Sequence, residues 1–271
     1  TRSWHDPETG TAFPTWDFGG VAAVRGIQHA RSQDFLNWTE PEQLRYADGD
    51  RTVHLYTNAI VPCPDAEHIL LGFPSRFVPD RTSDDSHGLP GLNDALFMTS
   101  RDGVYWNRWL DAWVSPGLDP LNWTERNNYP VWGIAKTSPT EWSMYISEHY
   151  RHEGVPTRVR RLSIRPWGFV AVHADYSTGE FVTKPFVFEG DSLSLNARTS
   201  AAGAIRVEIQ DEAGHALPGF SLDEMPPWYG DRLDARMAWG RNTSLGSLRG
   251  RPIRLRFWMK DADVFSFRFP S

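Results

Sequence analysis

Proline and glycine interrupt this chain so often that no long helix has room to form. The 271 residues include 22 Gly and 20 Pro, spread along the whole length. Proline removes a backbone donor and clashes with the preceding turn, and both residues favour tight turns. Between the interruptions lie short apolar runs: Val21–Val24, His54–Val61, His68–Phe73, Ala95–Thr99, Val131–Ala135, Trp142–Ile146, Val159–Ile164 and Gly168–His173. They are rich in β-branched and aromatic residues and mostly bounded by Pro, Gly, Asp or Asn. That pattern predicts strands joined by turns, so the expected fold class is all-β.

Charge and cysteine content narrow the partners. Lys+Arg 28 against Asp+Glu 34 leaves a net charge of −6, which disfavours nucleic acid, since neutralising phosphates needs a basic surplus. A single cysteine, Cys63, rules out an internal disulfide framework and a Cys-rich metal cluster. The nine histidines lack an H-E-x-x-H or similar spacing, so no metal and no cofactor is expected. No apolar stretch is long enough to span a bilayer, so no membrane partner is expected either. The chain begins with Thr1 and shows no signal stretch. It reads as a soluble protein, with the choice between bacterial cytoplasm, periplasm and secretion left open. The 13 Trp stand out: most suit the packing of an all-β fold, but an indole also stacks on flat ligands such as sugar rings.

A short pattern recurs. Ser32-Gln-Asp34-Phe-Leu-Asn-Trp38 and Ser100-Arg-Asp102-Gly-Val-Tyr-Trp106 share S-x-D-x3-W, and Ser163-Ile-Arg165-Pro-Trp-Gly-Phe169 is a degenerate third copy. Their spacing of roughly 65 residues suits propeller blades of four short strands. Ser and Asp would then form the turn between the two outer strands, and the Trp would pack between blades. Beyond the Gly/Ser/Thr punctuation of Asp175–Gly179, the runs Phe181–Phe188, Leu193–Ala197, Ala204–Gln210, Ala235–Trp239, Ile253–Trp258 and Val264–Phe269 largely alternate apolar and polar residues. The expected division is propeller blades over 1–175 and a β-sandwich over 176–271.

In an antiparallel blade, the start of the first strand, the end of the second and the start of the third share one face. Placing first strands at His54–Val61 and Val131–Ala135, second strands at Ile69–Phe73 and Trp142–Ile146, and third strands at Asp94–Thr99 and Arg158–Ile164 collects a polar, aromatic, arginine-rich set. Expected to hold substrate are Trp4, Arg25, Tyr56, Asn58, Arg76, Arg126, Asn127, Asn128, Tyr129 and His149, with Trp4 stacking on a sugar ring. Two carboxylates are candidates for catalysis. Glu148 directly follows an apolar strand, so burial could raise its pKa as a general acid requires. Asp94 opens a strand after the Pro79–Gly91 loop and would act as base or partner. The competing expectations are a turn-capping Asp94 and a Glu148 paired with Arg126 or Arg158. Arginine grips planar oxyanions in a bidentate manner, so the face suggests a uronate, sulfate or phosphate group, unless the arginines neutralise buried carboxylates.

The stretches Ser32–Pro41, His54-Leu-Tyr-Thr-Asn58, Leu71-Gly-Phe73 and Ser100-Arg-Asp-Gly103 resemble the family 32 and family 43 glycoside hydrolases, and more closely a bacterial family-32-like group. Arg126-Asn-Asn-Tyr129, Ser147-Glu-His-Tyr150 and Lys260-Asp-Ala-Asp263 are similar to that group as well. The resemblance implies a five-bladed propeller followed by a β-sandwich, and a carbohydrate substrate. Five blades of roughly 60 residues need about 300, so the chain is expected to lack the N-terminal blades. An upstream stretch of the same gene, a companion chain or a homo-oligomer would complete them. The family's W-M-N-D-P-N-G, R-D-P and E-C motifs do not occur, and His54-Leu-Tyr-Thr-Asn58 stands where the E-C glutamate would lie. The resemblance therefore implies fold and class without catalytic residues. The leading expectation is a glycoside hydrolase working by carboxylate acid/base chemistry. The alternatives are a glycoside phosphorylase and a non-catalytic carbohydrate-binding propeller.

Overall fold

The computed structural model describes the backbone of residues 3–4 and, in full, residues 24–49, 53–79, 81, 91–123, 128–150 and 152–271. Arg126, Asn127 and the side chain of Trp4 lie outside the described residues. Strand makes up 50% of the described residues and helix 3%, so the protein is all-β, and its strands form several separate sheets. Among the described residues no sheet closes on itself, and no helix is long and apolar enough to cross a membrane. The chain divides into two compact units, Thr1–Thr137 with Trp142–Ser163 and Ser138–Glu141 with Ile164–Ser271. The change of pattern near residue 175 falls within the second.

In the first unit, short pieces come first: β1 (Ser3–Trp4) pairs with β2 (Val24–Arg25), and β3 (Gln28–His29) with β4 (Glu42–Gln43). Then follow β5 (Arg45–Tyr46), β6 (His54–Tyr56), β7 (Val61–Cys63), β8 (Ala66–Gly72), β9 (Ser75–Val78), β10 (Leu92–Ser100) and β11 (Tyr105–Val114). They make one sheet, ordered β5-β11-β10-β8-β7. The long β10 organises it: Leu92–Ala95 pairs with β9, Met98–Ser100 pairs with β8, and β11 lies along its other edge. Side chains alternate across a strand, so Leu96 and Met98 enter a core with Leu55, Trp106, Ile27 and Leu44. Phe97, on the opposite face, stacks on Trp109 and contacts Phe73.

Two expected first strands are different. The run His54–Val61 splits into β6 and β7, because the backbone reverses through left-handed conformations at Thr57 (φ 44°) and Ala59 (φ 43°). Val131–Ala135 is mostly loop, and the strand starts only at Ala135. There β12 (Ala135–Ser138), β13 (Glu141–Glu148) and β14 (Arg158–Ile164) form a three-stranded sheet. Trp142, Met144, Ile146 and Glu148 fall on the buried face of β13 by their period of two. An acid therefore sits at the end of an otherwise apolar row.

The second unit is built on one strand pair. β17 (Ser194–Gln210) runs antiparallel to β19 (Arg254–Arg268), with β15 (Val172–Ala174), β16 (Gly179–Val182) and β18 (Asp231–Arg236) at the flanks. Leu195, Ala197, Ile205, Val207 and Ile209 of β17 meet Leu255, Phe257, Met259 and Val264 of β19 in the core. The register breaks between Thr199 and Ala204. Gly203 lies in that bulge, where a Cβ would meet the Asp261 carbonyl oxygen at 2.4 Å, so only glycine fits. Trp239 brings a large apolar surface into this core and satisfies its polar end by donating from Nε1 to the Val207 carbonyl, 2.7 Å away.

Candidate functional site

The reversal after β6 shapes a cleft of about 650 Å3 in the first unit. Gly26 and Ile27 line one part, Tyr56 to Ala59 another, and Pro130 and Trp132 a third. Positive φ at a β-branched residue such as Thr57 costs of order 1–3 kcal/mol and persists only where surroundings enforce it. Here the Phe73 N–H donates to the Asn58 carbonyl at 2.9 Å, and the Thr57 hydroxyl donates to Ser75 Oγ at 2.9 Å. Asn58 is left exposed at the tip, its Oδ1 accepting from the Ile60 N–H at 3.2 Å. Trp132 is 70% exposed, yet its Nε1 donates to the Ile60 carbonyl at 2.9 Å. The indole is thus pinned by its edge with its faces uncovered.

Tyr56 forms the inner wall. Its hydroxyl donates to Asn93 Oδ1 and lies 3.2 Å from the Tyr129 hydroxyl. The Tyr129 ring meets Tyr150 edge-on, at 4.8 Å between centroids. Burial and the neighbouring Tyr56 push the Tyr129 phenol well above its ordinary range, so the Tyr129 hydroxyl stays protonated. The guanidinium of Arg25 sits 4.7 Å from the Tyr56 ring centroid, a cation–π contact. The Arg25 N–H donates to His54 Nδ1 at 3.4 Å. Burial first, then the Arg25 charge, holds the His54 pKa below the usual imidazole range, so His54 is neutral at neutral pH.

Among the described residues the two candidate carboxylates share no bonded partner. Asp94 is buried beside Arg76, its register neighbour on β9. Arg76 Nε donates to Oδ1 at 2.9 Å and Nη2 to Oδ2, while Nη1 donates to the Leu110 carbonyl at 2.7 Å. Both oxygens of Asp94 are therefore held, and Arg76 is committed to the protein instead of being presented to substrate.

Glu148 is 3% exposed. Arg158 Nε donates to its Oε2 at 2.7 Å, and Arg160 Nε and Asn122 Nδ2 donate to its Oε1 at 2.5 Å and 3.1 Å. Residues 158 and 160 lie two apart on β14, so their guanidinium groups arrive on one face. Burial alone would raise the carboxyl, but the bonds from Arg160, Arg158 and Asn122 outweigh it and hold Glu148 below the usual range. This corrects the expectation of a raised pKa. Beside it, His149 Nε2 lies 3.0 Å from Asp119 Oδ2, which also accepts from Arg158 Nη2 at 2.7 Å. His149 is 5% exposed, and its backbone N–H donates to Asn122 Oδ1 at 3.0 Å, so it is built into the network. Asp119, Glu148 and His149 place ligand-type atoms within 4.8 Å of one another. With Arg158 and Arg160 already on the carboxylates, the group is an ion-pair network in which a cation would meet two positive charges.

Of the substrate-binding residues expected from sequence, the structure brings Tyr56 and Asn58 into the cleft, with Arg25 and Tyr129 against Tyr56. Asn128 is buried with its Nδ2 3.5 Å from the Ser115 carbonyl oxygen. Sequence reasoning missed Trp132, Asn93, Asp119, Asn122 and Arg160. Trp132 had a signal in its place between Pro130 and Gly133, and Asp119 in the Asp-Pro pair that caps a short 3-10 turn. No family model, curated protein or solved structure matches this chain.

Proposed function

We propose that the protein handles carbohydrate as a glycoside hydrolase, with the sugar seated in the cleft between Tyr56, Asn58 and Trp132. One observation carries this reading: an exposed indole, fixed through Nε1, lines a cleft together with the exposed Asn58. Aromatic faces stack on the apolar face of a sugar, and a few amides and hydroxyls orient it. The finer architecture proposed is a partial propeller for the first unit and a β-sandwich for the second. Its support is the recurrent turn that joins β10 to β11 as the outer hairpin of a blade would and the long alternating strands β17 and β19.

For hydrolysis, the proposed carboxylates are Glu148 and Asp94. The depressed Glu148 suits a base or a charge stabiliser and opposes the role of proton donor. A second reading, carbohydrate binding without turnover, is favoured by the arginine bonds that hold both acids. Reducing-end release from a panel of oligosaccharides, with and without inorganic phosphate, decides between them. Turnover that Glu148→Gln or Asp94→Asn lowers by at least about 100-fold supports hydrolysis, and turnover that needs phosphate points to a phosphorylase. Binding that Trp132→Ala abolishes, with no turnover, supports the second reading. Wild-type protein that binds no glycan overturns both.

A further inference from the structure

The arginines of the first unit differ in what they face. Arg76 is tied to Asp94, Arg108 to Asp48, and Arg158 and Arg160 to Glu148. Arg25 is half-buried, yet among the described residues no carboxylate pairs with it. Its guanidinium sits 4.7 Å from the Tyr56 ring centroid, and its own backbone N–H donates to His54. Tyr56 and Gly26, the residue after Arg25, both line the cleft. The guanidinium is therefore held against the Tyr56 wall of the cleft, and among the described residues no acceptor takes a hydrogen bond from its fork of donors.

We infer that Arg25 reads an acidic group, a uronate carboxylate or a sulfate, on the sugar bound in the cleft. The inference rests on the carbohydrate reading of that cleft and adds the substrate class. A half-buried guanidinium without a counter-ion gains more from an oxyanion than an exposed one, because the charge is already partly out of water. The neighbouring His54 accepts a hydrogen bond and, being neutral, neither competes for the anion nor screens Arg25. A neutral glycan would leave the fork unsatisfied.

The test is binding of the full chain to paired glycans. One pair is an oligogalacturonide and its methyl ester, and the other is a sulfated galactan oligosaccharide and its desulfated form. The acidic member of at least one pair is expected to bind about tenfold or more tightly than its neutral form, with an affinity that falls as salt is raised. Which pair shows the preference separates uronate from sulfate. Arg25→Gln removes the preference, and Arg25→Lys, which keeps the charge without the fork, restores part of it. Melting curves of both variants confirm folding. Equal binding of acidic and neutral glycans by the wild type, or a preference that survives Arg25→Gln, overturns the inference and leaves the cleft as a sugar site. Failure to bind any glycan removes the cleft reading too.

Discussion

The turns Ser32–Trp38 and Ser100–Trp106 share one residue pattern and a common core of bonds, but end differently. In each, the Ser hydroxyl donates to the Asp carboxylate at 3.1 Å. The same carboxylate accepts from two successive backbone N–H groups at 2.8 Å: Leu36 and Asn37 in the first turn, Val104 and Tyr105 in the second. In each, the residue after Asp is left-handed, Phe35 at φ 65° and Gly103 at φ 76°. Yet Trp106 is 1% exposed and Trp38 is 51% exposed. The strand after the first turn makes the difference. β5 runs parallel to the start of β11, pairing Tyr46 with Trp106, and Leu44 and Ile27 complete the core around the indole. Ser and Asp specify the turn by local bonds, whereas the fate of the Trp is set by chain far from it in sequence.

The largest effect expected from this contrast is at Trp106. Trp106→Ala empties a filled core and destabilises the first unit by about 3–5 kcal/mol, seen as loss of hydrogen-exchange protection across β10 and β11. The left-handed position is next. Gly103→Ala costs about 1–2 kcal/mol because its Cβ crowds the backbone at that φ. Phe35→Gly has the opposite sign, a gain of up to about 1 kcal/mol, reduced by loss of the Phe35 contact with Trp38. If both substitutions destabilise equally, the two turns are not equivalent in their strain.

Acid separates the turns more gently. Asp34 and Asp102 are both held below the ordinary aspartate value, chiefly by the backbone N–H of Asn37 and of Tyr105 respectively. A folded pKa below the unfolded one means that the carboxylate's contribution is complete above the unfolded value, about 3.9. It is then lost as pH falls through the folded value. Neither turn should loosen above about pH 4. Below that, the Ser100–Trp106 turn is expected to open first, because the Asn37 side chain gives Asp34 an extra bond at 2.6 Å and Tyr105 has no equivalent. Amide exchange of Asn37 and Tyr105 followed down the pH scale checks the order.

The turns were legible in sequence because their bonds close within a few residues, and strands such as Arg158–Ile164 were legible from composition. The break at Thr57–Ala59 was not, since Thr-Asn-Ala carries no Gly or Pro and Thr favours a strand. Tertiary bonds with Phe73, which donates to the Asn58 carbonyl, and with Ser75, which accepts from Thr57, hold the reversal. In β17 the opposite happened: Leu193–Ala197 and Ala204–Gln210 read as two separate runs, but pairing with β19 on both sides carries one strand through a bulge. At the site, pairing of Glu148 with Arg158 was among the sequence expectations. The cleft was not readable, because Tyr56, Gly26 and Trp132 meet only after folding.

The smallest expected effect belongs to Trp38, and it tests the comparison most directly. Its protein contacts include an edge-on ring contact with Phe35, 5.1 Å between centroids, and an Nε1 bond to the Phe35 carbonyl at 3.2 Å. Trp38→Ala should therefore cost about 1 kcal/mol or less, as for an exposed aromatic pair. A cycle with Phe35→Ala should assign roughly half of that to the ring contact. Solvent covers what remains of the indole, so its truncation opens no cavity, and protection of β10 and β11 should be unchanged. A loss approaching that of Trp106→Ala would mean that the Trp38 face is covered in solution, by another copy or by a partner. The two turns would then differ in what covers them and not in whether they are covered.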